Sequence, residues 1–471
     1  MSTTALAAPD NFPRPPVLGS TNVLGHMSRF RSDPLALFVE GRAMGDIVRM
    51  RVANRYLNVI YHPDGVHQVL VGNHQNYVKQ TRGYQQLRRI LGNGLVTSEG
   101  DFWKRQRRIA QPAFNHRRLG GFADIMLRAT NDLALRWEDA VNQGHVVDVA
   151  ESMNRLALRI AGETLFSLDI SGEANIVGVA LHEMLGGFLK TITNPLRNYL
   201  PLPSTLRYRR AQRELDGVVY SIIRRRREED PNGEDQGDLL GMFMAARDED
   251  GTGMSDLQLR DEVLTMLLAG HETTANALAW TFSHLAGSPA VLSRLQGEVD
   301  SVMPDGEFSL EKYPQLTYTE QVLKESMRLT PPVWVESRMA VADDVICGHR
   351  VPAGSFVFMS QYAMHRHPKY WLDAEHFDPD RFGPGIHLTP SGAPRPRGAY
   401  FPFSDGQRKC IGEHFANMEA RILLSILVRR FSFERTDSGP VLAEPSVTLR
   451  PRGGVPMRLT RRKLWGSIAA K

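Results

Sequence analysis

The sequence predicts a mainly α-helical fold with a small β subdomain. Three observations carry that reading. Apolar residues recur at helical spacing through most of the chain up to Leu329; alternating, strand-like patterns are confined to a few short regions; and no internal repeat is present. Taken in order, residues 34–45 read as a short helix, and 46–51 with 57–61 alternate like a strand pair. Helical spacing then covers 101–109, 117–142, 150–165, 174–191 and 205–229. A long helix follows over 255–287, opened by a capping box of Ser255 with Gln258. Two more helices cover 289–303 and 317–329, the second opened by Thr317 with Glu320. Residues 333–358 are strand-rich, Pro and Gly dominate as far as Cys410, and a last helix covers 411–430.

The chain has 471 residues, 42% apolar and 23% charged, which is ordinary globular composition with ample material for a large core. No linker divides it. Residues 1–33, with prolines at 9, 13, 15 and 16, read as an extended lead-in. Residues 34–460 read as a single domain, and 461–471 as a mobile tail. The polar stretch 224–237 reads as a surface loop. No targeting signal opens the chain, and the apolar stretch 263–269 is far too short to cross a bilayer, so a cytoplasmic protein without a membrane anchor is expected. Two cysteines, Cys347 and Cys410, exclude a four-cysteine zinc site and argue against a disulfide framework. The net charge of +5 accompanies no nucleic-acid motif, so it points to an acidic protein partner.

The most informative segment is Phe403-Ser-Asp-Gly-Gln-Arg-Lys-Cys410-Ile-Gly412. A thiolate at a helix start is stabilised by the helix dipole and by free backbone N–H groups. Gly406 permits a tight turn and Gly412 a close approach of the backbone to a flat partner. Arg408 can meet an anion, and Phe403 can cover the sulfur. A planar, dianionic cofactor with a redox-active metal satisfies all of these. The segment resembles the signature of the cytochrome P450 family, Phe-x-x-Gly-x-Arg-x-Cys-x-Gly, at Phe403, Gly406, Arg408, Cys410 and Gly412. The resemblance implies the P450 fold, haem b (iron protoporphyrin IX) as cofactor, and Cys410 as the thiolate ligand of its iron.

Within the long helix, Ala269-Gly-His-Glu272-Thr273-Thr274 places glycine mid-helix, unfavourable by roughly 1 kcal/mol against alanine, beside threonines that can bond back to the helix. This serves a groove for a small ligand and water better than it serves helix stability. The segment resembles the family's oxygen-binding motif, which implies that Thr273 assists oxygen activation and Glu272 relays protons. His271-Glu272 lacks the second histidine of a zinc protease, since position 275 is alanine.

Glu325 and Arg328 share a helix face, and Arg381 follows in Phe377-Asp-Pro-Asp-Arg381-Phe382. Both segments resemble family motifs, which imply a buried Glu325–Arg328–Arg381 triad behind the cysteine loop. Trp103-Lys-Arg-Gln-Arg107 sets an indole N–H and a guanidinium about one helical turn apart. It resembles the family's Trp-x-x-x-Arg, so Trp103, Arg107, Arg338 and Arg408 are the expected partners of the haem propionates. His365, His367 and His376 are assigned structural roles.

The resemblance also implies a monooxygenase that uses O2, with electrons from a separate ferredoxin or flavodoxin. That partner would be steered to Lys104, Arg105, Arg108, Arg117, Arg118, Lys409 and Arg421. By the same resemblance Leu95, Val96, Met184, Phe188, Val263, Met266, Ala269, Val333, Trp334 and Val335, with the turn near Pro451, would contribute to the substrate pocket, and the apolar character of the named residues predicts an apolar small molecule of terpenoid, fatty acyl or polyketide type. A peroxide-driven peroxygenase or isomerase, or a non-catalytic haem carrier, are the alternatives. Glu272 and Thr273 argue against both.

Overall fold

The computed structural model describes residues 9–167, 174–194, 200, 202–229, 238–247, 251–385 and 388–462; the side chains of residues 9, 116, 117, 119, 174, 175 and 182 lie outside that description. The expected tail thus lies outside the described residues beyond Arg462, as does most of the polar part of 224–237, where the preceding helix continues to Glu229. The first 33 residues are not extended throughout, because Met27–Ser32 is helical.

Helices dominate. The central one, Asp256–Ala286, is apolar on nearly every face because it is surrounded, packing along Val149–Phe166 and between Thr317–Leu329 and Glu413–Arg430. Ser255 caps it as expected, its hydroxyl accepting from the Gln258 N–H at 3.3 Å. The capping box at Thr317 does not form. Instead Glu298 of the neighbouring helix accepts the N–H groups of Tyr318 and Thr319 at 2.5 and 2.8 Å, while Glu320 pairs with Lys324 and Arg421. A full carboxylate supplied by tertiary packing outcompetes a local hydroxyl for the same orphan donors. The pattern over 174–191 is two helices, Ala174–Leu185 and Phe188–Thr193, divided at Gly186-Gly187. The window Ile176–Thr193 is apolar enough to cross a bilayer by composition.

Among the described residues a three-stranded and two two-stranded sheets accompany the largest sheet of the β region, which has five strands. Ile47–Val52 pairs antiparallel with Arg55–Ile60, which runs parallel to Phe356–Met359; Glu336–Ala340 and Tyr77–Val78 complete it. The register sets Arg338 opposite Val357, which directs the Arg338 side chain inward beneath the sheet edge. Cys347 packs in this subdomain, where burial pushes its thiol up to about 11.

One loop is anchored on the central helix. Residues 92–98 lie against the central helix: Asn93 N–H donates to Asp261 at 2.7 Å and Leu95 N–H to Glu262 at 3.0 Å. Gly92 has φ +63°, and a Cβ there would stand 2.1 Å from the Asp261 carboxylate, so only glycine fits. Burial raises the Glu262 carboxyl to about 8, opposed by the Leu95 N–H and reinforced by Asp261. The folded chain therefore holds a proton that the unfolded chain releases as pH passes the ordinary carboxylate range. Glu262 favours folding most below about pH 4.5, and that contribution drains away as pH rises to about 8. Glu262→Gln should gain on the wild type by on the order of a few kcal/mol between pH 5 and pH 8. Parallel pH dependences of the two thermal midpoints would exclude this.

Candidate active site

A cavity of about 450 Å³ lies between the central helix, the cysteine loop and the sheet. Its walls are mostly apolar, and Cys410 opens onto it. Cys410 is accessible only in the sense that its sulfur faces this interior space. Burial raises its thiol, opposed chiefly by the Gly412 N–H. The loop is fixed by a turn in which the Cys410 N–H donates to the Phe403 carbonyl at 2.9 Å. Gly406, at φ +68°, sits so close to the Leu70 carbonyl that a Cβ would approach it to 2.0 Å. The helix after the loop starts at Glu413 rather than at 411, with Gly412 as its cap.

Of the four expected propionate partners, Arg338 and Arg408 line the cavity. Arg408 donates to Glu99 at 2.8 Å and to the Ser98 carbonyl at 2.9 Å, while its Nη1 is buried with no protein partner. Arg338 pairs with Glu336 at 3.1 Å. Trp103 and Arg107 are off the wall. The Trp103 ring lies 3.8 Å beneath the Arg408 guanidinium, and Arg107 donates to the Lys409 carbonyl at 2.8 Å, so both support the loop from outside. Two residues that the sequence reading missed stand beside them. Lys79 is buried, donates to the Val96 carbonyl at 3.0 Å, and has its ammonium pKa pushed far down by burial and then by Arg338 and Arg408. Tyr84 receives a long contact from Arg338 at 3.4 Å. Only a lysine within reach of the same buried arginines would have signalled Lys79, and sequence spacing does not show that reach.

Here Arg338 and Arg408 on the wall pair with Glu336 and with Glu99 just behind, and Lys79 stands beside them with its charge disfavoured by burial and by both arginines. An anion placed there would restore the ammonium and meet the bare guanidinium nitrogen of Arg408. The unpartnered Nη1 of Arg408, the sulfur open to the cavity and the shallow backbone at Gly412 together fit a flat cofactor with carboxylate arms.

On the opposite helix, Ala269, Gly270, Thr273 and Thr274 line the cavity. The helix is unbroken there, and the Thr273 hydroxyl donates back to the Ala269 carbonyl at 2.7 Å. Glu272 is buried but off the wall. His271 is buried and held neutral, its pKa lowered to about 4 mainly by burial. Val96, Phe188, Met266, Ala269, Val333, Trp334 and Val335 lie on the wall as expected; Leu95, Met184 and Val263 do not. Leu95 and Val263 belong to the packing between loop and helix, and Met184 faces a separate, polar cleft. Ser446–Thr448 take the place expected of the turn near Pro451. The helix Arg82–Leu91, unrecognised in the sequence, contributes Tyr84, Leu87 and Leu91.

Behind the loop the triad forms. Arg328 donates to both Glu325 oxygens at 2.7 and 2.8 Å, and Arg381 reaches Glu325 at 3.2 Å. Arg328 also caps the carbonyls of His365, Ala374 and His376. His365 accepts the Phe401 N–H at 3.0 Å, two residues before the signature begins. His367 caps the Lys369 N–H at 3.1 Å. These contacts give the three histidines structural surroundings, and no group of metal-ligating side chains occurs among the described residues.

A helical domain that turns a cysteine sulfur into an apolar cavity beside buried, anion-seeking guanidiniums is the architecture of a haem-binding oxidoreductase. Residues 13–456 match the cytochrome P450 family, and the chain belongs to it. It is 34% identical to pentalenene oxygenase of Streptomyces avermitilis over 92% of each chain. It is likewise 34% identical to cyclooctat-9-en-7-ol 5-monooxygenase of Streptomyces melanosporofaciens over 93% of each. Leukotriene-B4 omega-hydroxylase 3 of Mus musculus is 30% identical over 84% of this chain and 79% of its own. The protein is therefore a P450 oxidoreductase, and the family's cofactor is protoporphyrin IX haem iron.

Removing one partner of a buried charge pair costs about 3–5 kcal/mol. Glu325→Ala and Arg328→Ala should accumulate poorly and carry little haem, read as the ratio of haem to protein in purified samples. Full haem occupancy in either variant would break the link between triad and loop.

Proposed function

We propose that this enzyme inserts one atom of O2 into an apolar small molecule, with electrons delivered by a separate ferredoxin or flavodoxin in the cytoplasm. The observation that carries the reading is the Cys410 sulfur opening into the same apolar cavity that Thr273 lines. Bound there, the haem supplies the one-electron and O2 chemistry. The chain's own residues do the rest. Cys410 holds the iron as thiolate, while Phe403 shapes the loop through its carbonyl. Arg338 and Arg408, joined by Lys79, receive the carboxylates; Trp103 stacks under Arg408, and Arg107 steadies the loop. Thr273 orients a proton donor at the cavity wall, and Glu272 feeds it.

The apolar wall supports a hydrocarbon-rich substrate in secondary metabolism. Among the three classes expected, the terpenoid is favoured by two relatives whose names denote an olefin and an olefinic alcohol. The basic face is narrower than expected. Arg421 turns to Glu320, Lys409 pairs with Glu413 and Lys104 with Asp101, and the Arg117 side chain lies outside the described residues. Arg118 reaches the Met242 sulfur at 3.3 Å, and Arg105 and Arg108, on the helix that carries Arg107, are the residues at which the docking reading is tested.

Cys410→Ser should abolish the thiolate-type absorbance band of the reduced, carbon monoxide-treated protein; an unaltered band would overturn the assignment. Reversing Arg105 and Arg108 to Glu should slow reduction by ferredoxin about tenfold or more at low salt and spare reduction by dithionite. Equal ferredoxin rates would remove this face as the docking site.

A further inference from the structure

The polar cleft that Met184 faces is a second concave space of about 650 Å³, and it shares no lining residue with the haem cavity. Three segments wall it: the end of the helix Arg82–Leu91, the break at Gly186-Gly187 with the start of Phe188–Thr193, and the first turns of Pro203–Glu229. Its charge is lopsided. Among the described residues, Arg89, Lys190, Arg207 and Arg209 line it with a single carboxylate, Glu183, which Arg207 engages at 3.3 Å. Tyr208 adds a phenol kept protonated by burial, its pKa raised to about 12.

Charges of one sign gathered around a concavity repel one another, and the low-dielectric walls focus their field into it. Among the described residues, the side chains of Lys190 and Arg209 have neither an ion pair nor a hydrogen bond. Both are exposed, so an anion would meet them at little desolvation cost. An apolar ligand has little to gain here, because apart from Met184 and the Tyr208 ring the lining is polar or glycine. At Gly186-Gly187 the wall is backbone without side chains, open to close approach. The cations come from three different helices. A ligand that meets all three must carry charge at more than one point, which a phosphoryl or diphosphoryl group does and a lone carboxylate does not.

We propose that this cleft is a binding site for a multiply charged anion of the phosphate class, a free phosphate ester or diphosphate, held by Arg89, Lys190 and Arg209. The site lies outside the oxidative chemistry and does not depend on the function proposed above. Two of the helices it joins also line the haem cavity, through Tyr84, Leu87 and Leu91 on one and Phe188 and Ile192 on the other. An anion across the cleft ties these helices together from outside and stiffens that wall.

The test uses the holoenzyme. Sodium pyrophosphate is titrated by calorimetry, at an ionic strength held constant with chloride, into the wild type, Lys190→Ala, Arg209→Ala, their double variant and Arg136→Ala. Arg136 is an exposed arginine of the helix His116–Asn142 that does not line the cleft, so its loss reports net charge alone. The wild type should bind one equivalent saturably. Each cleft variant should weaken binding about fivefold and the double variant about twenty-fivefold, while Arg136→Ala leaves it unchanged. Hydrogen exchange of the amides in 82–91 and 188–193 should slow at saturation in the wild type and not in the double variant. Binding that does not saturate, equal affinity in the double variant, or unaltered exchange in both segments overturns the site. Vesicles containing phosphatidic acid separate the two sources of phosphate. Vesicle binding that the double variant loses, with no affinity for pyrophosphate, overturns the free anion and assigns the cations to a lipid headgroup.

Discussion

A sulfur can face an apolar cavity only if the loop that bears it is fixed from behind, and much of this fold serves that fixation. The loop's backbone is engaged by the Cys410–Phe403 turn, by Arg107 on the Lys409 carbonyl and by His365 on the Phe401 N–H. His365 is in turn held by Arg328, which Glu325 neutralises. Burying Glu325 and Arg328 completely adds little net stability, since desolvation consumes most of their attraction. What the pair provides is direction. A planar guanidinium can cap three carbonyls at once only in one arrangement, and that arrangement sets where the cysteine loop begins.

The cavity repeats the logic with one difference. Behind the loop Arg328 and Arg381 share Glu325 and spend their remaining donors on backbone carbonyls, whereas at the cavity Arg338 and Arg408 pair with Glu336 and Glu99 and leave an Arg408 nitrogen bare beside Lys79. Satisfied donors make scaffold; an unsatisfied donor beside a cavity makes a binding site. The same contrast separates Trp103 and Arg107, which support, from Arg338 and Arg408, which face the ligand space.

How far the sequence disclosed this depends on whether a signal is local. The cysteine loop, the threonine motif and the Glu325–Arg328 pair were legible because their residues lie at fixed short spacings, whereas Arg381 was joined to that pair only through the family resemblance. The helix 256–286 was legible from its cap at Ser255. Lys79 was not, because its meaning comes from arginines more than two hundred residues away. Glu298 displaced Thr317 as a cap for the same reason. Leu95, Met184 and Val263 are as apolar as their neighbours on the wall, and hydrophobicity alone does not say which core face a side chain joins. Gly186-Gly187 was read through as one helix because the apolar period continues across it.

Around the central helix the structure accepts polar groups that a helix built for stability would exclude. Glu262 is raised to about 8 by burial, Glu272 keeps one oxygen bare, and Glu419, fully buried beside Thr274, has its carboxyl raised far above the usual range by burial. Each stands within one or two turns of a cavity-lining residue, and each is tolerated because the surrounding core is large enough to absorb its cost. An apolar cavity offers no protons of its own. Under the proposed function, acids held one layer behind the wall are the nearest source of them, and packing rather than water surrounds them there.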